Sequence, residues 1–303
     1  MRIIPPSELI INEDGSIFHL HLKPGQLADR IILVGDPERV SSVASHFEGR
    51  ECEVSNREFH SITGLYRGTR LTVVSHGIGA DNIDIVLTEL DALANIDFTT
   101  RTVKPVFRRL TIVRIGTSGG LQPSVPVGTY VAAEKSIGFD GVIYFYAGNE
   151  GVRDMELEEE LILALKWKPS GIYPYIVNAD ASLLEQIAGD DIVRGITIAA
   201  NGFYGPQGRE VRLPLFDPDL NRKIESFEHK GRKITNYEME SSALAGLSAL
   251  MGHRAVTVCC IIAGRKDQKM TTSYKDSLTP LIKTILNKLT RSRSQTAAAG
   301  RFV

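Results

Sequence analysis

Arg114 lies inside an apolar run, LTIVRIGTSGG (residues 110–120), that predicts a buried strand. A buried guanidinium is costly unless an anion or a carboxylate pairs with it. Residues 116–119 follow with the sequence Gly-Thr-Ser-Gly, and a glycine-rich turn of this type supplies N–H groups and hydroxyls that can hold phosphate. Two interpretations therefore stay open for Arg114, an ion pair in the core and an anion site.

A second cationic residue follows another predicted strand. Arg39 ends the segment GDPER, which begins at Gly35 directly after the apolar run of residues 30–34. Ligands of open α/β sheets collect at the carboxyl ends of the strands. We therefore expect Gly35 and Arg39 to meet the same anion as Arg114.

The segment NGFYGPQGRE (residues 201–210) combines groups that suit a flat heterocycle. Phe203 can stack on a ring, Gln207 offers a donor and an acceptor, and Arg209 adds fixed donors. Taken alone, the segment is also typical of an ordinary surface turn with solvated polar side chains.

Glu238 and Glu240 lie on either side of Met239. Residues two apart share one face of an extended chain, so both carboxylates could accept hydrogen bonds from the hydroxyls of a sugar. Met239 would then offer a soft apolar surface beside the ring. The alternative is the start of a helix, where the dipole favours acidic residues.

The segment GIGADN (residues 77–82) nearly matches the dinucleotide-binding fingerprint. Asn82 replaces the third glycine, and Asp97, near the position of the expected acidic residue, ends a predicted helix instead of a strand. The segment therefore gives a nicotinamide cofactor little support, although that reading stays an alternative.

Strands and helices alternate along the chain. Apolar runs that mostly end at glycine predict strands at 30–36, 70–79, 110–120, 128–134, 195–202 and 255–264. Helical spacing of apolar residues predicts helices at 81–96, 155–167, 240–252 and 277–289, the first with Asp81 or Asn82 as N-cap. Residues 95–109 and 206–220 read as loops. Continuous apolar strands between helices indicate a sheet covered on both faces.

Composition limits the function. The 303 residues carry a net charge of -1, which argues against bulk nucleic-acid binding. Cys52, Cys259 and Cys260 form no metal or disulfide pattern and are expected to be buried, reduced thiols. We see neither a signal peptide nor an apolar stretch of about 18 residues, and so expect a soluble cytoplasmic protein with no membrane contact. Residues 1–290 form one expected domain, and the basic tail at 291–303 is expected to be disordered.

Together the motifs resemble those of the nucleoside phosphorylase family over about residues 15–290, and most closely its uridine-specific branch. They occur in the same order and at comparable spacings: GDPERV, REF, GIG, RIGTSGGLQPSVPVG, FYGPQGR and NYEMES. The resemblance implies a three-layer α/β/α sandwich with a central mixed, twisted sheet. It also implies conversion of uridine and phosphate into uracil and ribose 1-phosphate. Alternatives are a phosphorylase of broader or purine specificity, a nucleosidase of the same fold, and a non-catalytic nucleoside-binding protein.

The resemblance assigns roles residue by residue. Phosphate is held by Gly35, Arg39, Arg57, Arg114 and Thr117, with Arg57 reaching in from a neighbouring subunit. Ribose is contacted by His19 (also from the neighbour), Met239 and Glu240, with Glu238 lining the pocket less directly. The base is bound by Phe203, Gln207, Arg209 and Arg265. The residues implied to act in catalysis are Arg114, Arg209 and Glu240.

Some positions depart from the family pattern. Gly264 stands where the purine branch has an aspartate, which favours pyrimidines. Asp81, Asn82, Ala263 and a long 95–109 loop also differ from many relatives, and these leave the preference among uridine, thymidine and deoxyuridine open.

The implied reaction needs no protein nucleophile and no metal or organic cofactor, since phosphate is a co-substrate; a monovalent cation stays open. A nucleosidase that uses water would not need three phosphate arginines. Because His19 and Arg57 are implied to act across an interface, a homo-oligomer is expected, either a dimer or a hexamer.

Overall fold

A computed structural model of the chain describes residues 2–264, 269–270 and 274–291. Within them, strands form one mixed 12-stranded sheet and a separate two-stranded hairpin. The strands are β1 (Arg30–Val34), β2 (Gly49–Asn56), β3 (Phe59–Tyr66), β4 (Thr69–Ser75), β5 (Ile96–Asp97), β6 (Thr102–Val103), β7 (Thr111–Gly120), β8 (Tyr130–Gly138), β9 (Tyr175–Asn178), β10 (Val193–Ala199), β11 (Glu228–His229), β12 (Arg232–Glu238), β13 (Arg254–Gly264) and β14 (Lys269–Met270).

The α-helices follow the predicted periodicity, with three further helices that the pattern did not reveal. They are α1 (Pro37–Ala44), α2 (Ala80–Asn95), α3 (Met155–Leu165), α4 (Ala181–Ile187), α5 (Leu220–Ser226), α6 (Ser241–Leu250) and α7 (Tyr274–Thr290). The predicted N-cap of α2 was wrong. Gly79, not Asp81 or Asn82, occupies that position with φ 98°, a conformation that favours glycine.

Helices cover both faces of the sheet, which confirms the predicted three-layer α/β/α sandwich. On β1, Ile32 and Val34 pack into the core layer shared with α1, α4 and α7. Ile31 and Leu33 point the other way, into the layer shared with α2 and α6. This alternation explains why the strand is apolar throughout.

The sheet closes on itself beside the carboxyl end of β7. β7 lies parallel to both β1 and β13, and its last residues pair antiparallel with β12, Gly119 opposite Tyr237. Since β12 is also joined to β13 through β10 and β8, five strands form a ring. The sequence did not predict this closure, which brings the chain after β12 to the end of β7.

The six predicted strands are confirmed as β1, β4, β7, β8, β10 and β13. The hairpin of β2 and β3 was missed, because β2 has the polar sequence GRECEVSN and is largely exposed at the sheet edge. The predicted 95–109 loop contains the short hairpin of β5 and β6. Residues 208–219 form neither helix nor strand, as expected.

The cysteine prediction holds for two of three thiols. Cys259 and Cys260 are buried, whereas Cys52 on β2 is partly exposed, because an edge strand offers no covering layer. No helix in the described ranges is long and apolar enough to cross a membrane. Residues 292–303, most of the predicted disordered tail, lie outside the described residues.

Candidate active site

Arg114 is the centre of a buried polar cluster at the end of β7. Its side chain is only 5% exposed. Nη1 donates to Oε2 of Glu238 at 2.9 Å, Nη2 donates to Glu240, and Nε donates to Nε2 of His76 at 3.0 Å. A Cβ on Gly116 would lie only 2.7 Å from Nη1, too close for a side chain, so glycine is required at this position. The guanidinium is therefore held in one orientation by three acceptors.

Glu238 also caps the helix that follows it. Its carboxylate accepts hydrogen bonds from the backbone N–H groups of Glu240 and Ser241, each at 2.9 Å, and from the Ser241 hydroxyl at 2.6 Å. The alternative reading of an acidic helix start is thus correct for this side chain. The cap turns the chain sharply, so that Glu240 lies on the same guanidinium as Glu238.

Glu240 joins this cluster to the loop before α2. Its Oε1 accepts the backbone N–H of Gly79 at 2.7 Å, while Oε2 accepts from Arg114. The amide of Gly79, the second glycine of the segment at 77–82, is therefore used by a protein carboxylate. A dinucleotide pyrophosphate would need that amide, which argues against the nicotinamide alternative.

Burial shapes the electrostatics of the cluster. Burial raises the pKa of Glu240, although Arg114 opposes the shift. Burial alone would lower the pKa of Arg114, but Glu240 and Glu238 outweigh it and raise that pKa, so the guanidinium stays charged. Burial, together with the charges of Arg114 and Arg39, holds the pKa of His76 well below its usual range. The imidazole is consequently neutral.

Residues 116–119 do not form the predicted turn. They continue β7 and pair with β13, from Gly116 opposite Cys259 onward. On the other side β1 stops at Val34, opposite Ile115, and β12 pairs only with Gly119 and Gly120, so the edge of β7 at residues 116–118 faces a cavity instead of a strand. The backbone of residues 116–118 is therefore unpaired on its cavity side. It presents its groups from an extended strand and not from a turn.

Arg39 and Gly35 lie at the neighbouring strand end, as predicted. Asp36 caps α1 by accepting the N–H of Glu38 at 2.9 Å. Arg39 lies in the first turn of that helix, and its Nη1 donates to the carbonyl of Ile115 at 3.3 Å. The parallel pairing of β1 with β7 thus places Arg39 and Arg114 around one space.

That space is a cavity of about 1160 Å³. The ion-pair interpretation of Arg114 is confirmed, since it pairs with two carboxylates. Arg114 also lines an open cavity, and the anion site there stays a prediction. Most residues predicted for the site surround it: Gly35, Arg39, Arg114, Thr117, Phe203, Gln207, Arg209, Glu238, Met239 and Glu240. Two predicted residues that the structure describes, His19 and Arg57, are not among them.

Phe203, Gln207 and Arg209, three of the four predicted base-binding residues, form one side of the cavity. The guanidinium of Arg209 lies 3.8 Å from the ring centre of Phe203, and its Nη1 donates to Oε1 of Gln207 at 2.6 Å. Asn221 on α5 holds the loop by donating to the carbonyl of Gln207 at 3.2 Å, and it accepts from Tyr237 on β12. The segment is thus a loop that hydrogen bonds hold against the cavity, and not an ordinary solvated turn.

His19 and Arg57 each lie beside the Phe18 ring, outside this cavity. His19 Nδ1 is 2.7 Å from Oε1 of Glu89 on α2. Arg57, with φ 53°, places its guanidinium 6.0 Å from the Phe18 ring centre. Within one chain the structure does not bring either residue to Arg114. Arg265 lies outside the described residues.

Sequence reasoning missed several cavity residues. Glu58, Asn221 and Tyr237 line the space, and His76 lies behind it. Only His76 left a clear signal, a polar side chain directly after the apolar residues of β4. Among the described residues, no group of three or more His, Cys, Asp or Glu side chains could hold a metal ion.

The arrangement suits a particular kind of ligand. Fixed cations and an open strand edge can bind an oxyanion, carboxylates can accept from hydroxyl groups, and an aromatic wall with amide and guanidinium groups can face a flat heterocycle. These three surfaces border one cavity, so the three parts of a ligand could be bound side by side.

Known proteins share this architecture. A family model described as the phosphorylase superfamily matches residues 29–291. The chain is 29% identical over 259 residues to a uridine phosphorylase of Thermococcus kodakarensis, covering 84% of this chain and 79% of that protein. It is 30% identical over 260 residues to a uridine phosphorylase of Haemophilus influenzae, covering 84% and 88%.

A solved structure gives the same result. The crystal structure of a Trypanosoma brucei nucleoside phosphorylase that shows uridine phosphorylase activity matches with a TM-score of 0.84. The two sequences are 30% identical, and the match covers 93% of this chain and 99% of that chain. The family match runs from the start of β1 to the end of α7, so it includes all strands around the cavity.

Proposed function

Because the chain belongs to the phosphorylase superfamily, we propose that it is a uridine phosphorylase, a pentosyltransferase that converts uridine and phosphate into uracil and ribose 1-phosphate. Both curated relatives described above are uridine phosphorylases. The observation that carries the proposal is the fixed guanidinium of Arg114, which shares one cavity with Arg39 and with the carboxylates of Glu238 and Glu240.

Phosphate binds between the ends of β1 and β7 in this proposal. Arg39 and Arg114 supply positive charge, while Gly35 and Thr117 supply groups on the open strand edges. The two carboxylates beside Arg114 limit how much negative charge the site attracts. Four of the five N–H groups of Arg114 already have acceptors, including Sγ of Cys259 at 3.7 Å. In this proposal, Arg39 and the Arg57 side chain of a neighbouring subunit therefore supply much of the phosphate binding.

Ribose lies over Met239, with its hydroxyl groups donating to Glu240. The base lies against Phe203, where Gln207 and Arg209 hydrogen-bond its edge. Arg265, outside the described residues, is a further base ligand in this proposal. Gly264 lines the cavity and has no acidic side chain that could protonate a purine, which supports a pyrimidine base.

The reaction follows from this placement. The C1′–N1 bond of the nucleoside breaks, and its electron pair leaves with the uracil, whose negative charge Gln207 and Arg209 stabilise. A phosphate oxygen, held on the opposite face, forms the new bond to C1′. The main contribution of the arginines is to hold phosphate in attack position. Inorganic phosphate is the co-substrate, and the proposed chemistry uses no organic cofactor.

Phosphate dependence tests the proposal. We expect uracil release from uridine to stop when phosphate is omitted and to rise with phosphate until it saturates. The measurement is chromatography of uracil and ribose 1-phosphate with uridine, thymidine, deoxyuridine and inosine as substrates. Uracil release at the same rate without phosphate would instead establish a nucleosidase, and preferential cleavage of inosine would establish a purine enzyme.

We also propose a homo-oligomer, a dimer or a hexamer built as a trimer of dimers, in which His19 and Arg57 complete the neighbour's cavity. In support, both side chains lie beside the Phe18 ring and outside the cavity of their own chain. A cytoplasmic role in the salvage of pyrimidine nucleosides fits this activity.

Subunit mixing checks the shared site. Arg57→Ala and Arg114→Lys chains should each be inactive alone, yet co-expression should restore about a quarter of wild-type activity, since random pairing makes half of the dimers mixed and each mixed dimer has one intact site. Activity no greater than the sum of the separate variants would show that Arg57 serves its own chain.

A further inference from the structure

We propose that His76 is a positioning residue for phosphate binding: as a neutral imidazole protonated on Nδ1, it accepts a hydrogen bond from Arg114 and fixes the plane of that guanidinium. The proposal rests on the proposed phosphorylase function and deepens it. His76 lies at the end of β4 and is fully buried, and it was not among the residues that the motifs singled out.

The direction of the hydrogen bond fixes the tautomer. Arg114 Nε lies 3.0 Å from His76 Nε2. An arginine Nε always carries a proton in proteins, so it must be the donor and Nε2 must be the acceptor. The imidazole proton then sits on Nδ1. A protonated imidazole would lose the acceptor and would place a second positive charge against Arg114.

The other ring nitrogen supports this assignment. Among the described residues, His76 Nδ1 is buried and makes no hydrogen bond of standard geometry; the backbone of Gly77 acts on the ring only weakly, opposing the fall in its pKa. An unsatisfied buried donor is unfavourable and calls for a reason. Here the reason is that Nε2 must stay an acceptor, because it is the third fixed contact of Arg114 beside Glu238 and Glu240.

Two carboxylates alone would leave the orientation of the guanidinium plane less well defined. Glu238 and Glu240 both lie on the Nη side of Arg114, whereas His76 holds the Nε side. With both sides held, the remaining N–H of Nη2 has a fixed direction. His76 also faces the charge of Arg39. Because the imidazole is neutral, it adds no third positive charge beside Arg39 and Arg114. Fixed donors bind an anion with less loss of conformational freedom.

Loss of His76 should therefore weaken phosphate binding. In His76→Leu the acceptor is gone while bulk is kept, and we expect the KM for phosphate to rise roughly tenfold, with a smaller fall in kcat. His76→Gln can place an amide oxygen near the position of Nε2 and should restore the KM to within about threefold of wild type. The KM for uridine should change little in both variants.

A matched control separates this role from general stability. His253 is also buried and accepts the N–H of Leu110 at 3.2 Å, but it lies outside the cavity. His253→Leu should lower the unfolding midpoint as His76→Leu does, yet leave the KM for phosphate unchanged. An unchanged KM in His76→Leu, or a rise of equal size in both leucine variants, would overturn the proposal.

Nitrogen-15 NMR of histidine-labelled protein supplies a readout that does not depend on activity. The chain has 7 histidines, and the signals missing from His76→Gln identify those of His76. We expect Nδ1 protonated and Nε2 unprotonated, with no change when the pH falls to about 6. A proton on Nε2 would overturn the proposal even if the enzyme is active. Failure of wild-type enzyme to require phosphate, with the expected tautomer present, would count against the proposed function instead.

Discussion

The Arg114→Ala variant should lose uridine phosphorolysis by about a thousandfold or more and also lose about 3–5 kcal/mol of folding stability. The activity falls because the variant lacks the fixed cation beside phosphate. The stability falls because Glu238 and Glu240, each about 4% exposed, would remain buried beside each other without their cationic partner. The measurements are kcat/KM for phosphate and the free energy of unfolding in urea.

If Arg114 were only an anion site, Arg114→Ala would leave the fold intact. The two carboxylates that Arg114 neutralises could not be assigned to it from the sequence. Arg114→Lys therefore tests the chemistry better, because it keeps a positive charge between them. We expect it to fold while activity falls by at least about a hundredfold, since a lysine cannot hold three acceptors in one plane.

Arg153 offers a matched control for that variant. It forms a partly buried ion pair with Glu158 away from the cavity. Arg153→Lys should have wild-type kcat/KM and a modest loss of stability. Unchanged turnover in well-folded Arg114→Lys would show that this cation has only a structural role, and phosphate binding would then have to be assigned to Arg39 and other groups.

The Glu240→Gln variant should lose about a hundredfold in kcat/KM for uridine. Glutamine keeps an oxygen for the N–H of Gly79 but removes the charge that faces Arg114 and the second acceptor oxygen proposed to bind ribose. The loss should therefore appear mainly with uridine as the varied substrate and should be smaller with deoxyuridine, because deoxyuridine has one hydroxyl fewer.

The same carboxylate should determine how activity depends on pH. Burial raises the pKa of Glu240 above 4.5, so the side chain gains its proton at a higher pH than an ordinary glutamate as the solution is acidified. The proton removes an acceptor for ribose. Consequently kcat/KM for uridine should decline on the acid side beginning above that pH, and this decline should be absent in Glu240→Gln.

Glu158→Gln is the control for the glutamate variant. It also removes the charge of a buried carboxylate from an ion pair, but at a distance from the cavity. It should lower stability without changing the pH profile. An acid-side decline that persists in Glu240→Gln would mean that another group titrates, and the role proposed for Glu240 would be incorrect.

Local patterns predicted the parts of the site well. The buried run around Arg114 and the glycine that ends β1 could be identified because apolar periodicity and backbone constraints act over a few residues. The motifs also placed Phe203, Gln207 and Arg209 in one loop. Elements without strong apolar periodicity were missed, as with the edge strand β2, which is mostly polar and has three partly buried residues and none that is fully buried.

Errors arose where the tertiary structure decided between local alternatives. Residues 116–119 have the composition of a turn, but β13 supplies a pairing partner that extends the strand. Asp81 is a good N-cap by type, yet the backbone at Gly79 takes a positive φ and its N–H is needed by Glu240. In both cases a distant segment satisfied backbone groups that the local sequence left open.

The sequence by itself determined the fold class, the strand ends that carry Gly35, Arg39 and Arg114, and many of the residue types around the cavity. The tertiary structure alone decided which charges meet. Antiparallel pairing of β7 with β12 brings Glu238 and Glu240 to Arg114 across more than a hundred residues, with separations of 124 and 126 positions. Such long-range pairing depends on the packing of the whole sheet, and no local pattern of residues encodes it.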